Sequence, residues 1–278
     1  MAIIFFVGLS SLTGCQAVRG YLAAMPKPTA EVVDTHLADL KVDSATLLFD
    51  VKIDNPYSAE LPLANLEYSL ASGGKPFLTG NAPVQGSIPA NGSKVVSLAA
   101  SLEFGRVLSA LQGVKLGSVI PYDAALTLSV NAPAVGKISL PLKKSGQLPI
   151  PAIPEIELAD IEWKGFDLTR TEGVLHVKIT NTNQFALDLA KLSLSLNLAG
   201  HTIASTAVDQ AASIAPGGQG TVDIPVGFSP KELGLSAISL IQGKGSEYRI
   251  SGLLSANSPF GPLNLPYEKS GSTSFRSR

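Results

Sequence analysis

A long internal repeat limits what this chain can fold into more than any other feature. The stretch VKIDNPYSAELPLANLEYSL, from Val51 to Leu70, returns as VKITNTNQFALDLAKLSLSL from Val177 to Leu196. The offset is 126 residues, no gap is needed, and ten of the twenty positions are identical, Asn55/Asn181, Leu61/Leu187 and Leu66/Leu192 among them. The same register carries Pro28, Glu31 and Asp34 onto Pro154, Glu157 and Asp160, and Tyr122 and Pro133 onto Tyr248 and Pro259. LPLKKSG, Leu140 to Gly146, matches LPYEKSG, Leu265 to Gly271, after a one-residue shift. A period of this length is a whole domain and not one turn of a solenoid. The chain therefore divides into a leading segment 1–15, a tether 16–29, a first domain 30–145, a spacer 146–153, a second domain 154–270 and a tail 271–278. Pro149, Pro151 and Pro154 make the spacer region extended and semi-rigid.

Strict alternation predicts strands. Phe49, Val51 and Ile53 alternate with Asp50, Lys52 and Asp54, and Leu175, Val177 and Ile179 repeat the pattern against His176, Lys178 and Thr180. Period two buries one face and wets the other. Asn55-Pro56-Tyr57 ends the first of these strands, because Pro56 cannot donate to a ladder and Asn caps turns. In the next strand Leu66, Tyr68 and Leu70 share a face, while Leu61 and Leu63 are in the opposite phase. A bulge near Ala64, and its equivalent Ala190, reconciles the two. Pro/Gly turns at 88–92 and 214–218 lead into further alternating strands. One helix per repeat is predicted, from Phe104 to Leu111 in the first, and after Ser229-Pro230 up to Gly243 in the second. Each repeat is mostly β, with about seven strands and one short helix: two tandem antiparallel β-sandwich domains.

Composition closes off several function classes. Hydrophobic residues make up 45% and charged residues 15% of the 278, enough apolar content for two real cores. Net charge is −1, with no basic surplus to neutralise phosphates, so no nucleic-acid partner is expected. The sole cysteine, Cys15, excludes an intramolecular disulfide. It follows Leu12-Thr13-Gly14 behind the apolar run Ala2 to Val7, and Leu-Thr-Gly-Cys resembles the lipobox of bacterial lipoproteins. That resemblance implies a lipidated Cys15 that holds the protein on a membrane of the cell envelope. Gln16 after the cysteine, in place of Asp, points to the outer membrane facing the periplasm. No Lys or Arg precedes Cys15, whereas a signal peptide opens on positive charge; a start codon further upstream would explain this.

The strand ending in Asn55-Pro56, the leucine-rich strand after it and the following Pro/Gly turn together resemble the type 2 late embryogenesis abundant family. It is also known as the LEA14-like or WHy (water stress and hypersensitive response) domain. The resemblance covers both repeats, and the second carries Asn181-Thr182-Asn183 where the first has Asn55-Pro56-Tyr57. It implies a fibronectin-III-like or Ig-like sandwich with one helix and an association with desiccation, cold or osmotic stress. It implies no catalytic residue and no cofactor. The mean hydropathy of +0.26 fits the folded group of that family.

Candidate chemistry is sparse. His36, His176 and His201 stand in no Gly-x-Ser-x-Gly, P-loop or His-Glu-x-x-His context, and His176 replaces Asp50 between the repeats, so no catalytic residue is assigned. Asp43, Asp50 and Asp54 lie near one strand, but the second repeat has Thr169, His176 and Thr180 there; they read as solvated carboxylates, with no metal site. Tyr122 and Tyr248 begin equivalent strands and are the candidates to line a groove for an apolar ligand. The expected function is non-enzymatic, envelope-anchored stress protection, exerted on destabilised client proteins or on membrane surfaces. The alternative is a carrier of lipid or another apolar ligand.

Overall fold

The computed structural model describes residues 26–133, 135–164, 169–198, 201–229 and 246–273. In the first repeat, β1 (Thr29–Ala38), β2 (Ser44–Asp54) and β6 (Ser93–Glu103) form one antiparallel sheet in the order β1-β2-β6. The facing sheet has the order β4-β3-β7-β8, built from β3 (Leu61–Ser72), β4 (Lys75–Pro83), β7 (Val119–Ala132) and β8 (Gly136–Pro149). A two-residue strand β5 (Ser87–Ile88) pairs with the start of β3.

The second repeat reproduces this topology. Strands β9 (Glu155–Trp163), β10 (Thr171–Thr180) and β13 (Gln219–Phe228) form the order β13-β10-β9. They face β12-β11-β14-β15, made by β11 (Leu187–Leu198), β12 (His201–Ile214), β14 (Ser246–Ser258) and β15 (Gly261–Thr273). Three strands on four is the fibronectin-III-like sandwich expected from the alternation.

The alternating residues do what their period requires. Phe49, Val51 and Ile53 are fully buried, as are Leu175, Val177 and Ile179. The predicted bulge is present: β3 slips against β7 between Leu63 and Asn65, and β11 slips against β14 between Leu189 and Lys191. The slip lets Leu61 and Leu63 reach the core alongside Leu66 and Leu70 despite their opposite phase. Helix α1 (Phe104–Ala110) buries Phe104 and Val107 under the end of β6, and Gly113 follows at φ +81°. The predicted second helix, 229–243, lies almost wholly outside the described residues.

The spacer differs from expectation. Residues 146–149 continue β8, with Gly146 paired to Tyr122 and Pro149 to Val119. Leu148 and Ile150 are fully buried because their alternating side chains still fall on the core face. The free part of the connection is therefore shorter than the proline count suggests. At its far end, the first domain meets the second through Gly117, whose carbonyl accepts from the Gln184 backbone N–H at 2.8 Å. The Val119 N–H in turn donates to Gln184 Oε1 at 2.8 Å.

Candidate functional site

The residues that carried the family resemblance are a pair of loop fasteners. Asn55 ends β2, and its Nδ2 donates to the carbonyls of Ala59, Ile88 and Pro89 at 2.9, 3.3 and 3.0 Å. Its Oδ1 accepts from the Tyr57 N–H at 3.0 Å, and its own N–H donates to Gly92 O. Asn181 repeats every one of these bonds 126 residues later, to Phe185, Ile214, Ala215, Asn183 and Gly218. Both side chains are buried, at 2% and 0% exposure. One buried amide thus ties the end of a strand to two other loops, with its own donors and acceptor satisfied inside the protein. Pro56 and Tyr57, in the loop that follows β2, are half-buried.

The departure from Asn-Pro-Tyr in the second repeat has a use. Asn183, 2% exposed, accepts from the Ala152 N–H at 2.8 Å and donates to the Ala152 carbonyl at 3.1 Å. It holds the interdomain connection in the way a neighbouring strand would. Thr182 presents its carbonyl to Gly117, where a Cβ would stand 2.6 Å from that oxygen, and Gly117 also has φ +87°. Glycine is required there on both counts.

Tyr122 and Tyr248 sit at equivalent places, each directly opposite a glycine of the adjacent strand, Gly146 and Gly271. A Cβ on either glycine would fall 2.7–2.9 Å from the tyrosine ring or hydroxyl. The rings therefore cover bare backbone, and Tyr68 over Gly80 is a third case. Tyr122 is 3% exposed, and burial raises its phenol pKa. It also lines a cavity of about 300 Å³ with Thr35, Leu47, Lys144 and, from the second domain, Phe260. Tyr248 is half-buried. Among the described residues Thr35 Oγ1 is the buried side-chain oxygen without a hydrogen-bond partner.

Two groups of titratable side chains lie on the wet faces of the three-stranded sheets. In the first repeat Asp34, His36 and Asp50 bring one donor atom each within 4.8 Å of one another. This differs from the Asp43, Asp50 and Asp54 set weighed from the sequence: Asp43 accepts from the Ser44 hydroxyl, and Asp54 faces Lys52 at 3.8 Å. In the second repeat His176 Nδ1 lies 2.7 Å from Asp223 Oδ1, with Glu162 at 3.7 Å from Nε2. The hydrogen bond to Asp223 raises the His176 pKa above its ordinary value, and burial opposes this only in part. Lys178 pairs at 3.7 Å with Glu157. Cys15 lies outside the described residues.

Comparison with known proteins places both repeats in one group. The family model described as "Late embryogenesis abundant protein" matches residues 50–146 and again 176–271. A soybean (Glycine max) protein named as a desiccation protectant protein Lea14 homolog is 30% identical over 132 residues, 48% of this chain and 87% of its own length. The desiccation-related protein PCC27-45 of Craterostigma plantagineum is 30% identical over 135 residues, 49% of this chain and 89% of its own. A solution structure from Arabidopsis thaliana aligns at 26% identity over 46% of this chain and 85% of its own, with a TM-score of 0.38. Each relative spans about the length of one repeat.

Proposed function

Because this chain belongs to the late embryogenesis abundant protein family in both of its repeats, we propose that it is a non-enzymatic protein of desiccation and related water stress. On this reading it protects destabilised proteins or membrane surfaces as water is withdrawn. The observation that carries it is the family match in both sandwiches, over residues 50–146 and 176–271, with relatives named for desiccation. The loop fasteners support it physically. Groups hydrogen-bonded to solvent lose their partners on drying, whereas Asn55 and Asn181 hold their loops by internal bonds alone. A protectant built this way keeps its own fold while its surroundings dehydrate.

Drying and rehydrating a labile enzyme with the full chain, against equal masses of albumin, tests the reading. Recovery above albumin is expected; recovery equal to albumin would overturn it. The envelope anchor is a separate part of the proposal and rests on Leu12-Thr13-Gly14-Cys15. With a signal peptide supplied, the protein is expected to sediment with bacterial membranes and the Cys15→Ser variant to stay soluble. Equal partition of the two would remove the anchor.

A second reading, a carrier of an apolar ligand, draws on the cavity beside Tyr122, to which Leu47 and Phe260 add apolar walls. Organic extraction of the purified protein decides it: a stoichiometric lipid supports the carrier.

A further inference from the structure

Strand β1 carries a bulge that turns three potential ligands toward one point. Its register against β2 slips between Val32 and Asp34, so that Val33 is skipped and Asp34 stands directly opposite Asp50. Like charges directly opposed across an antiparallel pair repel each other. His36, two residues further along β1, lies on the same face, with Nδ1 3.8 Å from Asp34 Oδ2 and 3.8 Å from Asp50 Oδ2. Those distances are too long for hydrogen bonds.

Each carboxylate is nevertheless oriented by a bond to its other oxygen. The Thr35 N–H donates to Asp34 Oδ1 at 2.7 Å, and the Ser97 hydroxyl of β6 donates to Asp50 Oδ1. Two carboxylate oxygens and an imidazole nitrogen are left converging, held from behind as metal ligands are held.

The second repeat provides an internal contrast. The equivalent slip in β9, between Leu158 and Asp160, sets Asp160 opposite His176, and Glu162 occupies the place of His36. The Ile161 N–H orients Asp160 as the Thr35 N–H orients Asp34. There the position of Ser97 is Asp223, which takes His176 Nδ1 at 2.7 Å. That imidazole is committed to a neighbour; the one in the first repeat is not.

We propose that Asp34, His36 and Asp50 bind a divalent first-row transition-metal ion through Asp34 Oδ2, Asp50 Oδ2 and His36 Nδ1, with water completing the coordination. One nitrogen and two oxygens select Zn²⁺ or its neighbours over Ca²⁺, which takes six to eight oxygens. Donors on one zinc ion stand about 3 Å apart, given bonds of about 2.0–2.2 Å. The exposed Asp34 and His36 side chains close the remaining gap by rotation.

The test is equilibrium dialysis of the untagged full chain, in a Cys15→Ser background, against micromolar free Zn²⁺. One ion per chain is expected. His36→Gln and Asp50→Asn are expected to abolish binding, His176→Gln to leave it unchanged, and Ser97→Ala to weaken it roughly tenfold through loss of the orienting bond. Ca²⁺ at the same concentration is expected not to bind. A melt in EDTA that superposes on the parent shows that each variant is folded. Zinc titration followed by the imidazole NMR signals of the parent needs no variant: the signals of His36 should move, and those of His176 and His201 should not. No bound zinc, unchanged stoichiometry in His36→Gln, or movement confined to the other two histidines would overturn the proposal.

Discussion

A buried asparagine amide has two donors and a carbonyl acceptor, and Asn181 uses all of them inside the protein. Truncation to Ala removes the donors to the buried Phe185 and Ile214 carbonyls and frees the N–H of Asn183, while Ala215 keeps the Gly218 N–H. Asn181→Ala is expected to cost about 1–3 kcal/mol, measured by urea denaturation, with most of it restored by no other residue, since Asp lacks the donors. Asn55→Ala should behave alike in the first repeat. Sequence repetition exposed both residues, because only a shared structural demand keeps an Asn at the end of each strand amid so many substitutions. The role of Asn183 was not legible, since its partner, Ala152, belongs to the spacer and offers only backbone. The tyrosines pointed to a groove, yet their glycine partners are visible only once the strand register is known.

At the scale of a strand, legibility followed the pattern of burial. The bulge at Ala64 and Ala190 could be read because the leucines change phase around it. The bulges in β1 and β9 could not, because Val32 and Val33, or Leu158 and Ala159, are apolar in both phases and hide the slip. Missing that slip also hid the meeting of Asp34 with Asp50. In the β13-β10-β9 sheet the His176–Asp223 contact makes stability depend on pH. The folded-state pKa of His176 is raised above its ordinary 6.5. The contact therefore stabilises fully below about pH 6.5, and the contribution is lost as pH rises through the raised folded value. Asp223, at 63% exposure, is well solvated, so the effect is modest and screened by salt. Thermal melts between pH 5 and pH 8 should show a smaller change for Asp223→Asn than for the parent; identical pH profiles would remove His176 from the account.

Across the whole molecule, the two domains meet through Gly117, Gln184, Asn183 and Ala152. Gly117→Val is expected to break this junction while leaving both sandwiches folded, since the added side chain collides with the Thr182 carbonyl and not with either core. Small-angle scattering should report a larger radius of gyration, with unchanged circular dichroism; an unchanged radius would show that the junction does not hold the domains together. The skipped residues Val33 and Ala159 matter at this scale too, because β1 and β9 are both edges of their sheets. As a cell dries, every protein in it is driven to extreme crowding, and an unguarded strand edge becomes a template on which chains stack into fibrils. A kink at the same point in β1 and β9 interrupts the row of groups another chain would need along those two edges. The feature that aligns three side chains in the first domain thus also blunts one edge of its sheet, and its counterpart in β9 does the same in the second.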